Sequence, residues 1–299
     1  MFAVVPVLIA AVVNTGYQYL LALEVVGGEG AGGWRDAAAR ALGADYSDPS
    51  AAGIVAAGLV HVLPVLGMAM LVGGLWERVF ANSRRRRFDT GVFVTALVFT
   101  LLMPPAVSLA HVVFGMSFAI VFGKGVFGGE GKTFLNPALL GAAVMQISFP
   151  TALSDHPLWT GIAGYEGTKA LALYQQNGSA GFAWADMSWW DAFLGATQGM
   201  MGATSVLAVL VGGVALVLAG IASWRLVLAQ VLGLVVAATF CNMLGEGIFA
   251  LPWHWHLVLG SFAFGAVFVA TDPGSSASTE AGRWAQGLLM GALVVMIRV

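Results

Sequence analysis

The sequence predicts an all-α polytopic membrane protein, on three observations: its composition, the length of its apolar runs, and where its positive charges fall. Of 299 residues, 59% are hydrophobic and 9% charged. A soluble domain carries roughly a quarter charged residues, so these few cannot cover a surface that faces water. They suit a surface that faces lipid. The 40 glycines agree, because small residues let membrane helices approach closely. A net charge of −2 gives no footprint for nucleic acid. The single cysteine, Cys241, excludes an internal disulfide and an all-cysteine cluster, and its apolar surroundings read as a packed thiol.

Crossing the hydrocarbon takes about 20 predominantly apolar residues, and about nine segments qualify or nearly do. They run over 2–24, 52–79, 91–107, 108–123, 134–150, 194–219, 223–244, 254–271 and 284–299. The first has neither the basic flank nor the cleavage site of a signal peptide. It carries Asn14, Thr15 and Glu24 and reads as a membrane helix that begins abruptly at residue 2. Pro104, Pro105 and glycine pairs interrupt others, and such breaks survive in lipid only where the freed backbone is buried in protein or lines a cavity. Two stretches rich in small residues, 115–131 and 195–213, are compatible with inverted repeats whose broken helices meet at mid-membrane.

Positive charge marks the cytoplasmic loops. Arg78 and the run Arg84, Arg85, Arg86 and Arg87 place the second loop inside, and alternation then puts Lys124, Lys132, Arg225 and Arg283 on the same side. Segments 25–50, 151–192 and 245–253 fall outside. Topology accounts for the arginine run better than a nucleic-acid patch does. The segment 151–192 holds Trp159, Trp184, Trp189 and Trp190, which suit an interfacial belt or a platform for a planar cofactor.

Few motifs carry chemistry on their own. Gly131-Lys132-Thr133 resembles the end of a phosphate-binding loop, but Val126 stands where that loop needs its first glycine and no strand precedes it. His254 and His256 are two apart, a spacing that points them away from each other on a helix, so they read as interfacial anchors beside Trp253 and Trp255. Carboxylates inside a span say more, because a charge there costs several kcal/mol and is usually kept for function. Glu77, in Gly73-Gly74-Leu75-Trp76-Glu77, closes the second span, and Asp272, in Thr271-Asp272-Pro273, closes the eighth. Interfacial placement and a place in an ion pathway are both open to them.

The stretch Gly128-Gly129-Glu130-Gly131-Lys132-Thr133-Phe134-Leu135-Asn136-Pro137-Ala138-Leu139 resembles one family. So do Ile221-Ala222-Ser223-Trp224-Arg225, the run Pro252-Trp253-His254-Trp255-His256-Leu257, Ala270-Thr271-Asp272-Pro273 and Val294-Val295-Met296-Ile297-Arg298-Val299. These are similar to the B-type membrane subunit of the Na+-translocating NADH:quinone reductase. The D-type membrane subunit of the Rnf ferredoxin:NAD oxidoreductase shares the fold, but the Pro-Trp-His-Trp-His-Leu run resembles the former.

The resemblance implies a urea-transporter-like inverted-repeat bundle of about ten spans in the bacterial inner membrane. It implies an oxidoreductase subunit, not catalytic alone, that passes electrons between FMN and riboflavin toward a quinone of the ubiquinone class and couples this to Na+ transport. Its partners are the other reductase subunits, one of which oxidises NADH, and the lipid bilayer, with no nucleic acid. Asn136 matches the riboflavin contact and Thr133 a second contact usually filled by Asn. Gly73, Gly74 and Glu77 match the glycine pair and acid tied to quinone binding and Na+ uptake, and Glu77 and Asp272 are the expected ion-pathway acids.

Departures are equally specific. The family esterifies FMN to the Thr of an outer Ser-Gly-Ala-Thr motif in the periplasmic flavin loop, 151–192 here. That motif aligns with Glu166-Gly167-Thr168-Lys169, so Lys169 holds the acceptor position and Thr168 lies one residue early. The FMN is therefore expected not to be covalent. Gly125, Ala143 and Ala203 stand where the family often has Glu, Arg and Glu. The chain reads as a single membrane domain, 1–299, that lacks the family's N-terminal cytoplasmic segment and last span. A non-redox solute channel and an inert assembly subunit are the competing readings.

Overall fold

The computed structural model describes residues 2–27, 33–45, 50–129, 131, 133, 135–150, 153, 160, 162, 170–245 and 247–299, and among these every regular element is helical. Among the described residues, three helices are long and apolar enough to cross a membrane: Phe2–Val25, Ala51–Ser83 and Trp224–Leu244. Contacts divide the chain into two compact units, one of 8–167 with 198–202, the other of 2–7, 168–197 and 203–299.

The first unit contains most of α1 (Val5–Val25), then α2 (Trp34–Ala41), α3 (Ala51–Ser83), α4 (Gly91–Leu101), α5 (Leu109–Ile120) and α6 (Pro137–Ser148). Serines cap two of them: Ser50 Oγ accepts from Gly53 N at 3.1 Å and Ser108 Oγ from His111 N at 3.3 Å. Helices α1 and α3 meet through glycine, since a Cβ on Gly16 would strike the Ile54 carbonyl and one on Gly58 the Val12 carbonyl. Phe99, Met116, Ile120 and Met145 fill the core between α4, α5 and α6. On α3, Leu63, Leu71, Leu75 and Val79 are each more than half exposed, and their spacing in multiples of four makes one apolar stripe. Water would not tolerate that stripe; lipid does. At about 1.5 Å per residue α3 is near 50 Å long, more than the ~30 Å hydrocarbon. An untilted α3 therefore extends beyond the apolar slab.

The expected spans 91–107 and 194–219 are not continuous helices. Helix α4 ends at Leu101 and α10 (Val206–Leu218) starts only at Val206. The two breaks satisfy each other: Gly202 N donates to Leu101 O at 2.7 Å and Met201 N to Met103 O at 3.1 Å. Irregular backbone buried this way meets the requirement that no peptide group face lipid unpaired.

The second unit holds the short helices α7 (Ala170–Asn177), α8 (Ser179–Trp184) and α9 (Trp189–Leu194), then α10, α11 (Trp224–Leu244), α12 (Trp253–Val258), α13 (Phe262–Phe264) and α14 (Glu280–Arg298). Helices α11 and α14 pack along their length: a Cβ on Gly233 would meet the Leu288 carbonyl and one on Gly291 the Gln230 carbonyl. The expected span 254–271 is three pieces, α12, α13 and a π-helical turn over Gly265–Val269. Trp189 belongs to a core, stacked on Phe193 at 5.2 Å and donating to His254 O at 3.2 Å, whereas Trp190 is exposed. His256 is buried rather than interfacial, so its reading as an anchor is corrected. The Arg298 guanidinium donates to His256 O and Leu259 O, both at 2.7 Å, and so closes the C-terminal end of α12.

Ion pairs join ends that the charge pattern placed together. Arg225 meets Glu280 at 2.8 Å in the second unit, and Arg86 and Lys124 converge on one carboxylate in the first.

Candidate functional site

Glu77 lies two turns before the end of α3, and its side chain is 1% exposed. The helix stops in a turn where Arg85 takes a left-handed backbone, φ 51°. Arg86 N then donates back to Ala81 O at 2.9 Å, which sends the following chain back along α3. The Arg86 guanidinium reaches Glu77 Oε1 at 2.9 Å, and Asp89 N lies 3.4 Å from the same oxygen. Asp89 itself starts α4: its Oδ1 accepts from Gly91 N at 2.9 Å, where a helix N-terminus favours negative charge. Its Oδ2 meets Lys124 Nζ at 2.6 Å.

Lys124, 3% exposed, comes from the end of α5, where the helix widens into a π-helical turn over Val121–Gly125. Val126 N closes that turn on Val121 O at 2.9 Å, five residues back. The ring of Phe80 fills the space that a Cβ on Gly125 would need, so a larger residue there does not fit without movement. Lys124 Nζ is 4.0 Å from Glu77 Oε2, an oxygen that accepts no hydrogen bond among the described residues. Two acids and two bases thus alternate, Arg86, Glu77, Lys124, Asp89, with no net charge. Neutrality is what makes the burial tolerable, since one unpaired ion costs several kcal/mol.

The glycine pair splits. A Cβ on Gly73 would press on Met116 and Val92, so Gly73 is a packing residue of α3 against α4 and α5. Gly74 has nothing within 4 Å, so α3 is open on that side. An open groove runs along the same end of α3, with Leu75, Val79 and Phe88 as its apolar side and Arg78, Arg85 and Arg86 as its basic side. It suits a ligand with an apolar body and a polar, hydrogen-bond-accepting head.

Asn136 is the N-cap of α6: its Oδ1 accepts from Ala138 N at 3.0 Å and Leu139 N at 3.2 Å. Thr133 lies three residues earlier in the sequence, and both are half-buried. An amide and a hydroxyl there fit the polar edge of a flavin ring by the chemistry of the donor set. Thr168 and Lys169 lie outside the described residues. Asp272 belongs to the second unit, at a turn its carbonyl closes by accepting from Ser275 N at 3.1 Å and Ser276 N at 2.9 Å. No cluster of three or more metal-binding side chains occurs among the described residues.

The sequence singled out Glu77 but not its partners. Arg86 and Lys124 carried only topological meaning, and Asp89 none. The signal was there: a lysine among glycines at a span end, and an acid directly after an arginine run.

The model of the family described as NQR2, RnfD, RnfE matches residues 1–299. The chain belongs to that family. This family member is 45% identical to the B-type subunit of the Na(+)-translocating NADH-quinone reductase of Azotobacter vinelandii over 293 residues, 96% of this chain and 72% of that protein. The same-named proteins of Pseudomonas aeruginosa and Neisseria meningitidis are 44% and 39% identical, over 89% and 99% of this chain and 67% and 75% of theirs. The predicted family is thereby established, and a multi-pass membrane subunit follows from it together with the long apolar helices.

Proposed function

We propose that this chain is the B-type subunit of a Na+-translocating NADH:quinone reductase, an inner-membrane component that carries electrons toward quinone and couples their passage to cation movement. The relatives' common name supports the complex. The observation that carries the site assignment is the buried, charge-balanced Glu77 cluster beside an open amphipathic groove at the end of a membrane-crossing helix. A quinone would lay its apolar body along Leu75 and Val79 and accept hydrogen bonds from the groove's arginines, with Gly74 leaving room for the ring. Na+ would be handled at Glu77 and, in the second unit, at Asp272.

FMN and riboflavin are the electron carriers this reading requires; when bound they accept and release electrons singly or in pairs. Thr133 and Asn136 would orient the polar edge of riboflavin. Thr168 and Lys169 would meet FMN in the outer loop, Lys169 through charge on the phosphate. The apolar helices would keep riboflavin in a water-poor bundle, where stray reactions with solvent are suppressed. The other reductase subunits, quinone, Na+ and the surrounding lipid are the partners.

The experiment is an absorption spectrum of the purified complex before and after NADH. Flavin bands that bleach, at a rate raised by Na+ in wild type and less so in Glu77→Gln with flavin content intact, are expected. A chain that purifies without flavin and conducts a neutral solute would instead be a channel of the same architecture.

A further inference from the structure

Lys124 stands between two buried carboxylates, and its distances to them are unequal: 2.6 Å to Asp89 Oδ2 and 4.0 Å to Glu77 Oε2. We propose that the Lys124 ammonium is the tethered occupant of a monovalent-cation seat formed by Glu77 and Asp89, so that a free cation enters only by exchange for the lysine. Asp89 thereby becomes a second carboxylate of the ion site, and Lys124 the residue that closes it. This deepens the reading of Glu77 and rests on it for physiological use, but not for the existence of the seat.

Charge balance is the first support. The four side chains sum to zero in a place where Glu77 is fully buried and Lys124 nearly so. A sodium ion added to that set leaves a buried net positive charge, whereas a sodium ion that replaces the ammonium leaves the balance unchanged. Exchange is therefore favoured over addition. The second support is Glu77 Oε2, a fully buried carboxylate oxygen that accepts no hydrogen bond among the described residues and faces the ammonium across the longer gap. The ammonium sits 2.6 Å from Asp89 and 4.0 Å from Glu77; an untethered cation can sit between both.

The third support is a route by which the lysine can leave. Lys124 is carried on a π-helical turn with Gly123 before it and Gly125 after it. Such turns hold one residue more than an α-helix needs, and they recur at functional sites. Relaxing this one to α geometry swings a residue by about 100° and shifts it about 1.5 Å along the axis. That is enough to draw the ammonium off Asp89. Arg86, 23% exposed, enters from the loop side and can remain on Glu77 meanwhile.

The test is thermal unfolding of the full chain, in detergent with whatever partner subunits co-purify, in sodium chloride against choline chloride at equal ionic strength. Wild type is expected to unfold at the same temperature in both. Lys124→Met, which leaves two acids facing one arginine, is expected to gain a saturable midpoint rise of several degrees in sodium only, because an ion that binds only the folded state stabilises it. Lys124→Met/Asp89→Asn is expected to lose that response. The proposal is overturned by a Lys124→Met protein indifferent to sodium, or by a response that survives undiminished in the double variant. It is equally overturned if Lys124→Met is unrecoverable in both salts, since no external ion then replaces the ammonium. A functional failure is separable: if turnover loses no Na+ dependence in Glu77→Gln while Lys124→Met still responds to sodium, the seat stands and its assignment to transport falls.

Discussion

Glu77 and Arg86 should be thermodynamically coupled, and the structure fixes by how much. The guanidinium lies 2.9 Å from Glu77 Oε1 and Lys124 4.0 Å from Oε2. At an effective dielectric constant near 20 the gross attractions are about 6 and about 4 kcal/mol, most of which offsets the desolvation of the ions. What survives is the cost of leaving a partner uncompensated, about 3–5 kcal/mol for a buried pair. Glu77→Gln falls at the low end, about 3 kcal/mol, because Arg86 is partly exposed and can turn to water while Lys124 keeps Asp89 at 2.6 Å. Arg86→Gln costs about as much, since Glu77 keeps only the distant lysine. The double variant removes one charge of each sign and leaves the Lys124–Asp89 pair whole, so it should cost no more than either single change. The expected coupling is therefore about 3 kcal/mol or slightly more, read from reversible detergent unfolding of the four proteins. Additivity within about 0.5 kcal/mol would refute the network, because that is how independent sites behave.

Asn136→Ala should lose about 1 kcal/mol with the α6 cap, whereas Asn136→Asp keeps the cap; if both shed non-covalent flavin in the purified complex, the amide serves the cofactor, and if both keep it, Asn136 is a capping residue alone. Gly291→Leu should prevent α11 and α14 from packing, since even a Cβ meets the Gln230 carbonyl, while Gly67→Ala, with open space around it, should be neutral or stabilising by thermal midpoint. Lys169 offers no hydroxyl for a phosphoester, so the chain co-expressed with a flavin transferase should show no fluorescent band on a denaturing gel; a flavinylated peptide containing Thr168 would defeat that expectation.

The long spans were legible because nothing competes with a continuous apolar run. The expected 2–24 and 223–244 differ by a residue or two from Phe2–Val25 and Trp224–Leu244. The broken spans were not. Hydropathy reports that 91–107 and 194–219 are apolar, and they are, but it cannot report that Gly202 N finds Leu101 O, which lets both leave the helix without exposing a peptide group. Glu77 stood out because one acid in an apolar run has no structural excuse. Its partners did not, because pairing with Arg86 and Lys124 depends on a turn at Arg85 and on the packing of α5 against α3, neither of which leaves a periodic trace. Trp189 and His256 misled for a related reason: an aromatic near a span end reads as interfacial whether it faces lipid or, as here, a neighbouring helix.

The second unit offers an acid in a comparable setting. π-helical residues make up well under 1% of soluble proteins, yet each unit ends an interior helix in one, over Val121–Gly125 and over Gly265–Val269. The second closes as the first does, with Ala270 N bonded to Gly265 O at 2.8 Å, five residues back. Lys124 sits within the first turn and Asp272 three residues beyond the second, and both ends fall on the side the charge pattern assigns to the cytoplasm. Such a turn lets a charged residue shift register locally, without unwinding the helix that carries it. Glu280, the neighbouring acid, is 71% exposed and already paired with Arg225, so it is a poor candidate for ion handling. Asp272 is half-buried; its backbone carbonyl closes the turn and its Oδ2 accepts from Ser275 Oγ at 3.4 Å, a bond that the amide oxygen of Asn can still accept. Asp272→Asn is therefore expected to lower the unfolding free energy by no more than about 1 kcal/mol, the scale of one weakened hydrogen bond. It should nevertheless lower the response of quinone reduction to Na+ in the assembled complex. A variant that loses stability but keeps its full Na+ response would make Asp272 a turn residue, and the likeness between the two π-helical turns would be one of architecture alone.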